Sequence, residues 1–263
     1  MKLLSPAEKA VASKDFGDVW CDRTTRATLI LVPLLMVIVL PVLFLVLIVS
    51  VPTAQMNGID EMMKMLPDEA KGLSERQSMF YLLTNMVCPM FFLMIPLMSS
   101  SVSAACSFVG ERERGTLETL LLTPLTVRQL FKAKVFGCLF LSGIATAVSF
   151  LGFAVVISVG DLVLGLPFFL NWNWLVLLFL LSPAVTVFGV VFMVLISGKS
   201  RSYTESVQTS GYIVLPVILL FAGQMTGLFR ISAMLLLLVS GVVFAADLLL
   251  FLVAARRTRL YLS

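Results

Sequence analysis

Long runs of apolar residues, separated by short polar or charged stretches, make up most of this chain. Each run has about 20 residues or more, enough for an α-helix to cross a hydrocarbon core of about 30 Å. The pattern predicts six spans, at about 27–50, 79–109, 131–160, 172–197, 206–224 and 231–255. Little sequence remains between them. We therefore predict an all-α polytopic membrane protein, with residues 1–263 forming one transmembrane domain.

Composition and charge agree with this interpretation and add an orientation. Hydrophobic residues make up 59% of the chain and charged residues only 13%, which a soluble domain does not tolerate. Most of the 19 basic residues fall before the first span, between the second and third, between the fourth and fifth, or after the last. Basic residues resist translocation, so we predict a multi-pass plasma-membrane protein with cytosolic N- and C-termini, an outer loop at 51–78 and a cytosolic connection at 110–126.

The net charge of +4 indicates contact with anionic lipid headgroups of the bilayer. Nucleic-acid binding is not expected, because no basic stripe with interleaved aromatic residues lies outside the membrane flanks.

Residues 1–26 carry the signature of a helix that precedes the first span. Ser5 can cap a helix, Pro6 suits its first turn, and the carboxylate of Glu8 can accept a hydrogen bond from the backbone N–H of Ser5. Together these are typical of a helix start. Four apolar residues then share one face at helical spacing, namely Ala12, Phe16, Val19 and Trp20. We predict an N-terminal amphipathic helix on the inner membrane surface. The alternative is a solvated helical tail.

Several kinds of chemistry are excluded by what the chain lacks. It contains no histidine, which removes histidine-based catalysis and most zinc and haem sites. The four cysteines show no CxxC spacing and are interpreted as small buried apolar residues. Residues Gly198, Lys199 and Ser200 resemble the end of a phosphate-binding loop, but Met193 replaces its earlier glycine. We expect no metal site, no cofactor bound by this chain and no enzymatic activity in it.

A charged segment between the second and third spans is the most informative feature. It consists of Glu111, Arg112, Glu113, Arg114, Gly115, Thr116, Leu117, Glu118, Thr119, Leu120, Leu121, Leu122, Thr123 and Pro124. Gly115 loosens the helix, the leucines that follow share one face, and Pro124 ends it. The pattern predicts a short, rigid, amphipathic element presented to the cytosol by two membrane helices. The alternative is an ordinary charged loop at the end of a span.

This segment resembles the signature of ABC-2 type transporter permeases, in particular of the branch similar to the sodium-exporter permease NatB. Lys14 with Asp15, and Asp22 with Arg23, also resemble the start of that family loosely. Six spans with both termini in the cytosol fit the family over essentially the whole chain. The outer loop at 51–78 is shorter than the large outer domain of many NatB-like members.

The resemblance implies a permease subunit of an ABC exporter. Two copies of the chain, or the chain and a related permease, would pair with two cytosolic ATPase subunits that bind ATP and Mg. The matching segment is then the coupling helix on which the ATPase docks. The implied docking residues are Glu111, Arg112, Glu113, Arg114, Gly115, Thr116, Leu117, Glu118, Leu121 and Pro124. The cargo could be a drug, an antimicrobial peptide, a lipid-like molecule or an ion.

Two features inside the spans are candidates for a substrate path. Met86, Met90, Met94 and Met98 form a stripe along the second span, with Pro89 and Pro96 able to kink it. Helix packing is favoured for this stripe over a substrate path, and Cu(I) binding is a third interpretation. Asp247 lies deep in the last span, and either an ion or substrate path or an interhelical hydrogen bond fits it. The alternative function is therefore an ATP-independent channel or secondary carrier that uses Asp247.

Overall fold

The computed structural model describes residues 5–50, 66, 70, 72–116, 125–197, 202–226 and 232–260, with residues 24, 225 and 252–260 described by their backbone alone. Within these ranges the chain forms helices and connecting turns, and no strand. The helices are α1 (Pro6–Cys21), α2 (Thr25–Ser50), α3 (Glu75–Glu113), α4 (Val127–Leu164), α5 (Trp172–Ser197), α6 (Tyr203–Gln224) and α7 (Ala233–Leu260).

Helices α2 to α7 are each long and apolar enough to cross a membrane, with mean hydropathies between 1.6 and 3.2. This confirms the predicted all-α polytopic membrane protein. Helices α3 and α4 have 39 and 38 residues, far more than a bilayer requires. Both begin earlier than the apolar runs do, because capping boxes at Ser74 with Gln77 and at Thr126 with Gln129 start them in polar sequence.

Proline residues account for most of the irregular turns within the spans. Pro41, Pro89 and Pro183 each lie two residues after a widened π-helical turn, at Leu34–Val39, Leu83–Val87 and Leu177–Leu181. A proline ring clashes with the carbonyl group four residues earlier, and a widened turn removes that clash. Pro96, in contrast, lies inside the continuous α-helical stretch Cys88–Ala104.

Helix α3 forms the centre of the bundle. Of its most apolar stretch 67% is buried, compared with 17% for α2 and for α7, which present their apolar residues outward. Helix α5 packs closely against α3 because Gly189 lacks a side chain. A Cβ atom at Gly189 would lie 2.1 Å from Ser100 Oγ. The two central helices therefore depend on glycine at this crossing.

Helix α1 packs across the start of α4. Val11 forms a small buried cluster with Leu130 and Ala133 of α4. The predicted capping box is present, with Ser5 Oγ accepting from Glu8 N at 3.3 Å. The buried face of α1 includes Val11, Asp15 and Val19.

The apolar face predicted for α1 is divided in the structure. Val19 is buried, whereas Phe16 and Trp20 are exposed and stack on each other with ring centroids 6.2 Å apart. These two rings line the mouth of an apolar groove of about 310 Å³ between α2 and α4. The face differs from the prediction because Asp15 turns inward, one helical turn before Val19, to reach a buried lysine.

Candidate functional site

The charged segment begins in the last turn of α3, at the end of the bundle where α1 lies, which we call the α1 end. A π-helical turn at Ala105–Gly110 precedes it. The helix then closes with Arg114 N donating to Gly110 O at 3.0 Å and Gly115 N donating to Arg112 O at 3.2 Å. Gly115 has a φ of +68°, a left-handed conformation that glycine adopts without strain. Gly115 therefore turns the chain away from the axis of α3.

Four charged side chains meet beside this turn, and we call them the charge cluster: Lys14, Asp15, Glu111 and Lys134. Lys134 Nζ lies 2.6 Å from Glu111 Oε2, an ion pair without hydrogen-bond geometry. It also lies 3.3 Å from both carboxylate oxygens of Asp15. Lys14 Nζ donates to Glu111 Oε1 at 2.7 Å. The cluster thus joins α1, the end of α3 and the start of α4.

The charge cluster lies largely inside the protein. The side chains of Lys134, Glu111 and Asp15 are only 3%, 4% and 5% exposed, and Lys14 closes the cluster from the surface. Two ammonium and two carboxylate groups balance in charge, as buried ions must. Removing one partner of such a pair costs about 3–5 kcal/mol, because it leaves an uncompensated buried charge.

Ser107 completes the surroundings of Asp15 and Lys134. Its hydroxyl donates to Asp15 Oδ2 at 2.6 Å, and its backbone carbonyl accepts from Lys134 Nζ at 3.0 Å. Burial raises the pKa of Asp15, although Lys134 and the Ser107 hydroxyl favour the carboxylate. For Lys14, burial lowers the pKa, but Glu111 and Asp18 outweigh it and leave the pKa raised. The lysine therefore stays charged beside its carboxylate partners.

A second link joins the segment to α6 and α2. Glu113 Oε2 accepts from the backbone N–H of Tyr203 at 2.8 Å, at the first residue of α6. The hydroxyl of Tyr203 lies 2.7 Å from Thr25 Oγ1 at the start of α2. Thr25 in turn donates to Asp22, which caps α2. We call this chain of contacts the Glu113–Tyr203 link.

The structure describes six of the ten predicted docking residues, and their burial differs. Glu111 is buried in the charge cluster, Thr116 donates from its hydroxyl to Glu111 O at 3.3 Å, and Arg112, Glu113, Arg114 and Gly115 are exposed at the surface. Leu117, Glu118, Leu121 and Pro124 lie outside the described residues. Docking of a partner on these residues stays a prediction.

Sequence reasoning missed the residues that hold this segment. From the sequence, Lys134 contributes only to the basic charge around the start of the third span, and neither Ser107 nor Tyr203 carries a prediction. A signal for Lys134 does exist. It shares one helical face with Leu130, Cys138 and Leu141, all of which are buried, so a charge there requires a buried partner.

Three carboxylates at the α1 end lie close enough together to suggest a cation site. Oxygens of Asp15, Asp18 and Glu111 lie within 4.8 Å of one another. However, the ammonium groups of Lys14 and Lys134 already contact all three residues at distances of 2.6–3.3 Å. A metal ion would have to displace both lysines, so these residues do not fit a metal.

The candidate path residues lie within the bundle. Met90 belongs to the main buried cluster, and Met94 and Met98 pack against it. Met86 packs against the smaller cluster that contains Leu82. These contacts are those of helix packing, the interpretation that the sequence favoured. A substrate path along the stripe stays a prediction.

Asp247 is 5% exposed and lies on the same buried side of α7 as Leu236 and Ser240. Neither of its carboxylate oxygens has a hydrogen-bond partner in the described part of the chain. Asp247 therefore faces protein, as a carboxyl group in a span is expected to do.

Comparison with known protein families gives a match over most of the chain. Residues 9–252 match the model of a family described as ABC-2 family transporter protein. No curated protein and no solved structure matches the chain significantly. The family match covers the charge cluster, the Glu113–Tyr203 link and all six spans except the last residues of α7.

Proposed function

Because the chain belongs to the ABC-2 family of transporter proteins and is a transmembrane permease subunit, we propose that a separate cytosolic ATPase drives it as an exporter. The ATPase, which carries ATP and Mg, docks on residues 111–124, here called the coupling segment. The observation that carries this proposal is the anchoring of Glu111 in the buried charge cluster. A segment anchored in this way can pass a partner's movement to the membrane helices.

The charge cluster makes the coupling segment move together with α1 and α4. Glu111 belongs to the segment, Lys14 and Asp15 belong to α1, and Lys134 belongs to α4. Separating these ions inside the protein is costly, so a push on the segment favours a joint displacement over local rupture. Rigid elements that shift as units are a common basis of switching transitions.

The distribution of charge supports a cytosolic position for the α1 end. The basic residues at that end whose side chains the structure describes are Lys9, Lys14, Arg23, Arg26, Arg112, Arg114, Arg128, Lys132 and Lys134, whereas Arg76 lies at the start of α3 at the opposite end. Basic residues near span ends accumulate on the cytosolic side. On this orientation the coupling segment faces the compartment in which a soluble ATPase and ATP are present.

The exposed apolar surface supports a second permease copy or a related permease beside this one. Only 17% of the most apolar stretch is buried in α2 and in α7. Lipid covers part of this surface in the bilayer, and a second permease completes the transporter. A path for the cargo would then run between the two permeases.

A second candidate function rests on Asp247. Its carboxyl group is buried in α7 without a hydrogen-bond partner among the described residues, and such groups mark ion and substrate pathways in membrane proteins. This observation favours an autonomous carrier or channel. The family match favours the ATPase-driven permease instead.

The test is a pull-down of the tagged full-length chain from its native membrane, with identification of the bound proteins and an assay of ATPase activity. We expect a protein with a phosphate-binding loop to be recovered with the native chain. Leu117→Asp should lose it, because an acidic side chain replaces the predicted apolar contact of the coupling segment.

Arg76→Glu, at the opposite end of the bundle, is the control and should retain the ATPase. A native chain that purifies alone and moves solute without ATP would contradict the proposal. That result would favour the carrier that uses Asp247.

A further inference from the structure

Most of the acidic side chains that the structure describes at the α1 end are engaged within the protein. Six of them have described partners: Glu8 with Ser5, Asp15 with Lys134, Asp18 with Lys14, Asp22 with Thr25, Glu111 with Lys14 and Lys134, and Glu113 with Tyr203. Two of these residues, Glu111 and Glu113, belong to the coupling segment. Both direct their carboxylates toward the permease itself.

The two arginines of the coupling segment are placed differently. Arg112 and Arg114 are both exposed, and neither forms an ion pair with a carboxylate in the described part of the chain. Arg112 makes one long hydrogen bond, of 3.5 Å, to Ser197 O. Arg114 lies close enough to Asp22 to contribute, as a minor cause, to the lowered pKa of that carboxyl group.

The glutamates contact the permease and the arginines are exposed because acidic and basic residues alternate along one helical turn. The sequence places glutamates at 111 and 113 and arginines at 112 and 114. Glu111 turns into the charge cluster, and Glu113 reaches the first backbone N–H of α6. The two lysines therefore neutralise Glu111, whereas Glu113 keeps its charge but is held against the start of α6. With two exposed arginines and one exposed glutamate, the described part of the segment presents a net positive face.

We infer that this positive face, Arg112 with Arg114, meets an acidic groove on the ATPase, whereas Glu111 and Glu113 position the coupling segment from within the permease. The inference rests on the proposed function. Guanidinium groups suit such a contact because each can bind a carboxylate through two parallel hydrogen bonds. Complementary charge also steers association and makes it sensitive to salt.

The experiment measures binding of the ATPase recovered in the pull-down. That ATPase is purified separately and titrated against the full-length chain in nanodiscs of phosphatidylcholine alone, so that anionic lipid cannot contribute. The titration is done at about 0.05 M and about 0.5 M ionic strength, over which screening of exposed charges increases strongly. The variants are Arg112→Glu with Arg114→Glu, Glu113→Gln, and Arg76→Glu as a charge-reversal control at the opposite end.

We expect the arginine double variant to bind at least about tenfold more weakly than the native chain at low salt, and to lose most of the native salt dependence. Glu113→Gln should bind at least as tightly as the native chain, because glutamine keeps an oxygen acceptor for the Tyr203 N–H and removes a negative charge beside the arginines. Arg76→Glu should bind within about twofold of the native chain. The thermal unfolding midpoint of each variant verifies that it is folded.

Three results would overturn the inference. The first is a folded arginine double variant that binds as tightly as the native chain, and the second is an equal loss of binding in Glu113→Gln. The third is a loss that occurs only when anionic lipid is added, which would assign the arginines to the membrane surface. In each case the native chain still binds the ATPase, so the proposed function stands. A native chain that binds no ATPase contradicts the proposed function instead.

Discussion

Lys134 Nζ and Glu111 Oε2 lie 2.6 Å apart, on side chains that are only 3% and 4% exposed. The two residues belong to different helices: Glu111 lies in the last turn of α3, where the coupling segment begins, and Lys134 lies about two turns into α4, after that segment has ended. This ion pair holds the end of α3 against the first turns of α4. Any displacement of the coupling segment therefore acts on α3 and α4 together.

Replacing Lys134 with methionine should destabilise the permease strongly. The change keeps the length of the side chain but leaves Asp15 and Glu111 buried with one ammonium group fewer. We expect a loss of about 3–5 kcal/mol, measured as a lowered unfolding midpoint in detergent. Lys132→Met is the matched control, two residues away on the exposed side of the same helix, and should cost about 0–1 kcal/mol. Equal losses of stability in the two variants would show that the charge cluster stabilises the fold no more than an exposed lysine does.

Gly115→Ala should uncouple ATP hydrolysis from transport without preventing insertion. Gly115 has a φ of +68°, which costs an alanine about 1–2 kcal/mol. The substitution therefore favours a different turn and redirects the coupling segment. The measurement is transport per ATP hydrolysed in proteoliposomes that contain the ATPase.

Gly165→Ala provides a matched control, because Gly165 has a φ of +67° at the other end of α4. The backbone strain is similar, but the residue lies far along α4 from the coupling segment. Normal transport by Gly115→Ala, or an equal defect in Gly165→Ala, would contradict the prediction.

Asp22 should make stability depend on pH in the acid range. The hydrogen bond from the Thr25 side chain, and a second from its backbone N–H, hold the pKa of Asp22 below the ordinary value of 3.8. The unfolded chain therefore binds more protons in the window just below 3.8. Stability from this group is complete above that value and is lost as pH falls through the lowered pKa.

Asp22→Asn tests this directly, since asparagine caps a helix about as well as aspartate but does not titrate. Unfolding midpoints measured between pH about 3 and about 6 should fall more steeply for the native chain than for the variant. Parallel curves would show that Asp22 contributes nothing to the acid sensitivity.

Gly189→Ala should push α3 and α5 apart. The added Cβ would meet Ser100 Oγ at 2.1 Å and Leu97 O at 3.3 Å, and overpacking of this kind costs about 1–3 kcal/mol. Gly143→Ala is the control, because a Cβ there meets nothing within 4 Å. Alanine in an open helical position is instead favoured by about 0.5–1 kcal/mol. The thermal unfolding midpoint should therefore fall for Gly189→Ala and rise for Gly143→Ala. A shift in the same direction for both variants would contradict the close contact of α3 with α5 at Gly189.

The sequence predicted the features of this protein that depend on neighbouring residues. Six apolar runs identified six spans because the hydrophobic thickness of a bilayer sets one length for each of them. The start of α1 followed from Ser5 and Glu8, three residues apart. At Gly115 the sequence predicted a loosened helix, and the structure instead has a left-handed residue just after the end of α3. Each of these signals lies within a single helix or at its end.

Only the tertiary structure decided which side chains anchor the coupling segment. Lys14 and Glu111 are separated by 97 residues and Asp15 and Lys134 by 119, so no local periodicity relates them. Glu111 and Glu113 look alike in the sequence, yet one enters the charge cluster and the other reaches the start of α6. The physical reason is that the periodicity of apolar residues indicates only which face of each helix is apolar. Which buried charges meet depends on how α1 packs across α4.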